Sequence, residues 1–394
     1  MRLTDNFFTY DVQQKGISLA LAAVSAGMVL SGNAQADARG FAMGGAGVAT
    51  GSYLAAPMYN PALAAEYEDR DNFGMLLPMA GLGVHDGDDL YNKVEDFEDI
   101  NNQIKRLEPG EITDELRDEW RRSLKALDNG RATIEGDLGL VIAIPNRYMS
   151  INFFTKGNLT LLATANVDDD DLTGTPDPDD MKSTVQGLAG GTMDIGFTFA
   201  KSFGKWSVGL APKFQRLYTL NYHESAGDFD DDEFKKISDD YVEDSTFNLD
   251  FGMTYNPGER TRIGFAAKNL FKRELETNVQ RGGTDTYLVE PHYTLGVGYS
   301  RGWFTATMDA DLNKRRHFAG SDYETQFLSV GTELNAFRWA QIRAGYRHSM
   351  TDYSEDVITA GLGFSPFGRF GLDLSAQYGS DSRYGVATQL SFTF

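Results

Sequence analysis

The residue types able to do covalent chemistry are few and badly spaced. The five histidines, His85, His223, His292, His317 and His348, are scattered along the chain, and there is no cysteine. Thiolate nucleophiles, thiolate metal sites, Fe–S clusters and disulfides are therefore excluded. No G-x-S-x-G, H-E-x-x-H or Walker sequence occurs, so an enzyme is not expected. Two segments have suggestive spacing. Gly44, Gly45 and Gly47, following Gly40, could mimic a phosphate loop, but no predicted strand precedes them and no long helix follows. These small residues read better as a compact plug packed in a confined space. The run from Asp169 through Asp171 to Asp180 places oxygens at positions 1, 3, 5, 9 and 12 with glycine at 6, as in a calcium loop. It ends on Asp instead of Glu and no helices flank it, so it reads as a hydrated acidic loop, with calcium as the alternative.

A third set is defined by charge. Asp194, Asp250, Glu290, Asp309, Asp311 and Asp373, together with Lys213, Arg343 and Arg347, fall on the polar side of strongly alternating segments. Such a set either pairs internally to fill a plugged lumen or lines a selectivity ring. Pairing is the expectation.

The alternation that positions these charges has period two. In 247–255, Phe247, Leu249, Phe251, Met253 and Tyr255 oppose Asn248, Asp250, Gly252 and Thr254. The segments 287–299, 304–312 and 370–378 behave likewise; in the first, Tyr287, Val289, Tyr293, Leu295, Val297 and Tyr299 form the outward set. A soluble sandwich would alternate too, but these strands run near ten residues, carry aromatics at their ends and have a polar face rich in Gly, Asp and Thr, as a lipid-exposed barrel requires. The chain ends on Gln389-Leu390-Ser391-Phe392-Thr393-Phe394, an alternating last strand with Phe392 and Phe394 as an insertion signal.

Fourteen strands are expected, starting near 72, 132, 146, 184, 205, 245, 261, 285, 303, 323, 338, 355, 369 and 384. Tight connections such as Phe203-Gly204-Lys205 and Pro257-Gly258-Glu259 follow the even-numbered ones; longer acidic connections follow the odd-numbered ones. This is an all-β antiparallel transmembrane barrel with both ends of its chain on the short-turn side. Between the first two strands, at about 89–128, helical spacing takes over: Leu90, Val94, Phe97, Ile104 and Leu107, then Leu116, Trp120, Leu124 and Leu127, predict a hairpin over the barrel mouth.

Lys15, the apolar run Ile17–Leu30 and Ala34-Gln35-Ala36 read as a signal peptide cleaved after Ala36. Residues 37–71 then form an N-terminal hatch and 72–394 the barrel. No later stretch reaches the ~20 apolar residues of a membrane helix. The net charge of −21 excludes nucleic acid as a partner. The expected partners are outer-membrane lipid and the machinery that assembles such barrels.

One pairing of motifs is specific. Gly44-Gly45-Ala46-Gly47-Val48-Ala49, preceded by Ala42-Met43 and followed by Ala56-Pro57-Met58-Tyr59-Asn60-Pro61-Ala62-Leu63, resembles the N-terminus of plasmid conjugal-transfer TraF-like outer-membrane proteins. It is more distantly similar to FadL-type transporters. Gly264-Phe265-Ala266-Ala267-Lys268-Asn269-Leu270-Phe271 is similar to a strand in the same group. Thioredoxin-like proteins sharing the TraF name are a different fold, and a Cys-free, strand-rich chain cannot be a thiol oxidoreductase. The resemblance implies fourteen strands and a hatch whose motif falls on Asn60, Pro61 and Ala62, lining a gate or holding a turn. It implies no cofactor and two functions: an envelope or conjugation component docking partners through external loops, or a hatch-gated channel for a small hydrophobic ligand.

Overall fold

The structure, a computed structural model, describes residues 37–69, 71–108, 110–173, 176–228, 240–281, 283–337, 339–380 and 382–394. The expected leader and its cleavage point lie outside the described residues. Fourteen antiparallel strands close into one barrel. They are β1 (Gly74–His85), β2 (Arg131–Ile144), β3 (Ser150–Asn166), β4 (Thr184–Phe203), β5 (Trp206–Ser225), β6 (Val242–Tyr255) and β7 (Thr261–Lys268), then β8 (His292–Arg301), β9 (Phe304–Asp311), β10 (Phe327–Ala336), β11 (Ala340–Ser349), β12 (Val357–Phe364), β13 (Phe370–Gly379) and β14 (Arg383–Thr393). Closure is made by β1 against β14, from Gly74 opposite Thr393 to His85 opposite Arg383. No edge of that sheet remains unpaired. The register slips between Leu76 and Met79 on both sides of β1, where Pro78 has no N–H to donate to a ladder.

Alternation sorts the two faces. Phe247, Val297, Met308, Leu362 and Leu374 stand exposed on the outside, whereas Asn248, Asp250, Thr254, Thr307 and Asp373 are buried inside. The aromatics Phe203, Trp206, Trp303, Phe337 and Trp339 are exposed beside the tight turns. They mark one rim of an apolar belt, the arrangement expected at a membrane interface. Among the described residues no helix is long and apolar enough to cross a membrane.

One expected strand is corrected. The alternation of 287–299 is interrupted at Pro291: His292–Arg301 belongs to the barrel, but Thr286–Val289 pairs with Arg273–Glu276 in a separate two-stranded ribbon. Tyr287 and Val289 are therefore buried beneath the outer mouth with Phe318, Leu162, Leu188 and Leu217, and do not face outward. A second short ribbon, Arg315–Arg316 with Glu324–Thr325, lies in the next long connection.

The first long connection contains two helices, as the spacing predicts. The N-terminal segment contributes a short α1 (Ala38–Phe41), and the hairpin is α2 (Leu90–Ile104) and α3 (Asp114–Ala126). Thr113 caps α3 by accepting from Leu116 N, with Asp114 and Glu115 in the first turn. Phe97, Trp120, Leu124 and Leu127 bury their apolar face against Ala165, Met181, Val185 and Ala226 at the outer ends of β3–β5. Trp120 donates to Asn101 Oδ1 (3.0 Å), and Asn101 in turn donates to the Gly227 carbonyl (3.1 Å). The polar atoms drawn into that apolar contact are thereby satisfied.

Candidate functional site: the closed lumen

Residues 37–66 run through the barrel lumen and are almost wholly buried. Gly44 and Gly45 adopt positive φ of 72° and 90°, a turn that a Cβ would strain. Gly44 N donates to Thr359 Oγ1 (2.9 Å), and that hydroxyl donates to the Ala42 carbonyl (2.9 Å). Gly47 N and Val48 N both donate to Asp309 Oδ2, at 2.7 and 2.8 Å. Asn60 is fully buried; its amide donates to the carbonyls of Val48 (3.0 Å) and Met253 (3.1 Å), and its oxygen accepts from Ala62 N (3.1 Å). Pro61 begins the short 3-10 turn Pro61–Ala65 that Asn60 caps. The motif residues Asn60, Pro61 and Ala62 thus hold a turn against β5 and β6, with the Asn60 side chain fully bonded.

The wall receives this backbone on glycine. A Cβ at Gly209 would stand 2.3 Å from Pro61 C, at Gly264 2.4 Å from Val48 O, and at Gly331 2.5 Å from Met43. The glycine-rich inner face is a bed for main chain rather than simply a polar lining. Alternation carries no signal for this distinction, because glycine has no side chain to assign to a face.

Ion pairs then pin the segment. Arg39 donates to Glu333 (2.9 and 3.2 Å) and to the Thr50 carbonyl; Glu333 accepts from Arg343 (2.7 Å), Arg343 reaches Asp373 (2.5 Å), Gln389 donates to Asp373 (2.9 Å), and Gln389 Oε1 accepts from Ala38 N. The circuit begins and ends on adjacent residues of the N-terminal segment. Burial pushes the Asp37 carboxyl above its usual value, opposed by the Gly40 amide and the Arg39 charge. At the other end Glu66 accepts from Arg262 (2.7 Å), Ser207 and Thr254.

A second network lies on β3–β7. Lys213, 2% exposed, donates to Asn269 Oδ1 (2.7 Å) and pairs with Asp194 (2.9 Å) and Asp250 (3.1 Å). Lys156 lies opposite Asp194 in register and donates to the Pro57 carbonyl (3.1 Å), and Lys268 donates to the Met58 carbonyl. Here two of the motifs singled out in the sequence meet: Lys268 and Gly264 of the 264–271 segment touch Met58 and Val48 of the N-terminal segment.

The remaining candidates are placed as follows. Asp311 pairs with His292 Nε2 (3.0 Å) and accepts from Phe327 N (3.0 Å). Arg347 donates to Gln377 Oε1 (3.3 Å) and lies over the Phe327 ring. Glu290 is not on a barrel strand; it sits beside Pro291 in the connection, paired with Arg316 (2.8 Å) and Lys272 (3.3 Å), which hold its carboxyl below the usual range against the effect of burial. Phe392 packs on Phe370 (5.4 Å between ring centres) and Phe394 on Phe73 (6.4 Å). Phe394 O accepts from Asn72 N and Phe73 N, fastening the chain end to the start of the barrel. In the acidic loop, Asp171 accepts from Lys182 N, Ser183 N and Ser183 Oγ, and Asp170 pairs with Lys182. Among the described residues no three acidic or histidine side chains converge on a metal position. Periodicity does not single out Arg39, Glu66, Glu135, Asp137, Lys156, Arg262, Lys268 or Glu333, all of which face the lumen or its mouth. On β3 the omission has a reason: inward Phe154 and Leu162 interrupt the polar face on which Lys156 stands.

Between the N-terminal segment and the apolar layer of Tyr287, Phe318, Leu162, Leu188 and Tyr323 lies a cavity of about 230 Å³. Its walls carry charge of both signs, including Asp137, Lys156, Lys268, Asp309 and Arg315. A second cavity, about 360 Å³, opens at the outer mouth beside Asp88, Arg131 and Tyr353.

A closed antiparallel barrel with an apolar outside, a polar inside and a chain segment across its lumen defines a plugged β-barrel of the kind that spans outer membranes. The family model described as "F plasmid transfer operon, TraF, protein" matches residues 57–311, and the chain belongs to that family. Among solved structures, the Ralstonia pickettii toluene transporter TbuX is 13% identical, with a TM-score of 0.55, covering 93% of this chain and 99% of its own. The P. putida toluene transporter TodX is 14% identical (TM-score 0.51; 93% and 99% covered), and the monoaromatic hydrocarbon channel CymD 12% identical (TM-score 0.51; 93% and 98% covered). At these identities the likeness is one of fold. No curated protein sequence matches the chain.

Proposed function

We propose that this protein is an outer-membrane component of a plasmid-transfer envelope apparatus that docks partners through its external loops, exported by a leader cleaved after Ala36 and closed by residues 37–71 acting as a hatch in the 72–394 barrel. The observation that carries this reading is the filling of the lumen. A conduit for hydrocarbons needs an apolar path beside Asn60, whereas Asn60 is enclosed by backbone and the adjoining cavity is charged. Moving an apolar solute through it would strip water from Lys156, Lys268 and Asp137 at a cost of several kcal/mol per ion. The family's transfer-operon description supplies the context. The α2–α3 hairpin supplies a surface: it exposes Glu95, Asp96, Asp99, Glu115 and Glu119 together with Arg106, Arg122 and Lys125, a mixed-charge surface suited to a polar partner.

The test is to delete 90–126 behind a short linker in cells carrying the transfer operon. Transfer frequency is expected to fall at least tenfold while folded barrel in the outer membrane is unchanged. Undiminished transfer, or saturable toluene uptake by the intact protein in liposomes that an empty-liposome control lacks, would overturn the reading in favour of the hydrophobic channel.

A further inference from the structure

The cavity above the N-terminal segment holds an unusual carboxylate. Asp137 projects from the inner face of β2 and makes neither a hydrogen bond nor a close ion pair among the described residues. The charges acting on it are first Glu135, two residues back on the same strand, and then Lys156, Lys268 and Arg315, which line the same cavity. The other acids nearby are occupied: Asp194 and Asp250 by Lys213, Asp311 by His292, Glu290 by Arg316 and Lys272. Asp309 is half used, since Oδ2 takes Gly47 N and Val48 N but Oδ1 takes nothing. The chamber therefore presents acceptors at Asp137 and cationic donors at Lys156 and Lys268 within one space, bordered by Met58 and Tyr59 of the N-terminal segment and by Tyr287, Leu288 and Val289.

We infer that this chamber is a binding site for a small zwitterion of amino-acid size, whose ammonium group pairs with Asp137 and whose carboxylate is taken by the Lys156–Lys268 side. A volume near 230 Å³ is many times the ~10–15 Å³ of such space that a single water needs, room for one such molecule. A simple anion would answer the lysines and be repelled by Asp137; a simple cation would do the reverse. A hydrocarbon would leave Asp137 and Lys268 desolvated without an ionic partner, and Lys156 with only its longer contacts to Asp194 (3.9 Å) and Asp250 (3.7 Å). Only a molecule carrying both signs matches both walls, and preorganised buried charges discriminate sharply against ligands lacking a partner group. The inference is independent of the docking role, which concerns the outer hairpin.

The experiment is equilibrium dialysis of the full exported chain, purified in detergent, against an isotope-labelled mixture of the proteinogenic L-amino acids. Saturable uptake approaching one molecule per chain is expected, displaced by unlabelled amino acid but not by equal concentrations of acetate, ethylammonium or toluene. Asp137→Asn removes charge at a side chain with no internal hydrogen bond, so the barrel should keep its heat-dependent gel mobility while affinity falls at least tenfold. Lys268→Met should weaken binding as well, and Asp137→Asn serves as the decisive variant should loss of the Met58 contact disturb the N-terminal segment. Absence of saturable uptake, displacement by acetate or ethylammonium alone, or unaltered affinity in Asp137→Asn would each overturn the proposal.

Discussion

Gly252 on β6 lies so close to Asn60 that a Cβ at 252 would stand 2.0 Å from the Asn60 side-chain oxygen. The barrel wall and the segment inside it are fitted to one another at the level of single hydrogen atoms. Gly252→Ala is therefore expected to push Asn60 off its Val48 and Met253 carbonyls, costing about 1–3 kcal/mol as overpacking does. Limited proteolysis should then cut between residues 37 and 71 in Gly252→Ala, while Gly258→Ala, at a turn where nothing lies within 4 Å, remains resistant.

Lys213 holds two buried aspartates at once. Its replacement by Met would leave Asp194 and Asp250 only the longer contacts of Lys156 (3.9 and 3.7 Å), and breaking a buried pair from one side costs about 3–5 kcal/mol. The temperature at which the folded gel band converts to the unfolded one should drop markedly in Lys213→Met. Little change would mean that Lys156 takes over the vacated place.

His317, in the connection that covers the chamber, is held neutral: burial, and after it the Arg315 charge, push its pKa down to about 4 from 6.5. A base whose folded pKa lies below its unfolded value contributes stability that is complete above about pH 6.5 and is lost as pH falls toward 4, by up to about 3 kcal/mol at ~1.4 kcal/mol per unit. Protection factors for hydrogen exchange across 312–326, each taken against the intrinsic amide rate at its own pH, should fall between pH 7 and 4, and His317→Gln should flatten that response.

The chain end offers a check on assembly. Removing Phe394 deletes the carbonyl that receives Asn72 N and Phe73 N as well as the terminal ring. Membrane fractions of the truncated protein, and of a Phe392→Ser variant, are expected to contain much less folded barrel than the parent.

Much of this architecture is legible in the sequence, and the places where it is not are informative. Fourteen strands and the long–short rhythm of their connections follow from period-two alternation and turn residues, as do the helical stripes on Phe97 and Trp120 from their 3.6-residue spacing. Tyr287 and Val289 mislead because a ribbon over the mouth alternates just as a barrel strand does, and only Pro291 signals the break. The lumenal network is half visible. Lys213, Asp194 and Asp250 stand on clean strands, whereas Arg39 and Glu66 come from a segment with no periodicity, and their partners are fixed only by how the chain threads the barrel.

β4 and β5 each run twenty residues, against eight for β7, β9 and β12. At about 3.3 Å per residue and ~40° tilt, the long pair rises roughly 50 Å and the short strands roughly 20 Å. The barrel is consequently cut on a slant, with a parapet on one side, buttressed by the α2–α3 hairpin, and a low sill on the other. Anything approaching that end of the barrel meets the parapet first and is turned by it, so the barrel has a front and a back around its axis, and neighbours arranged around it would inherit that direction.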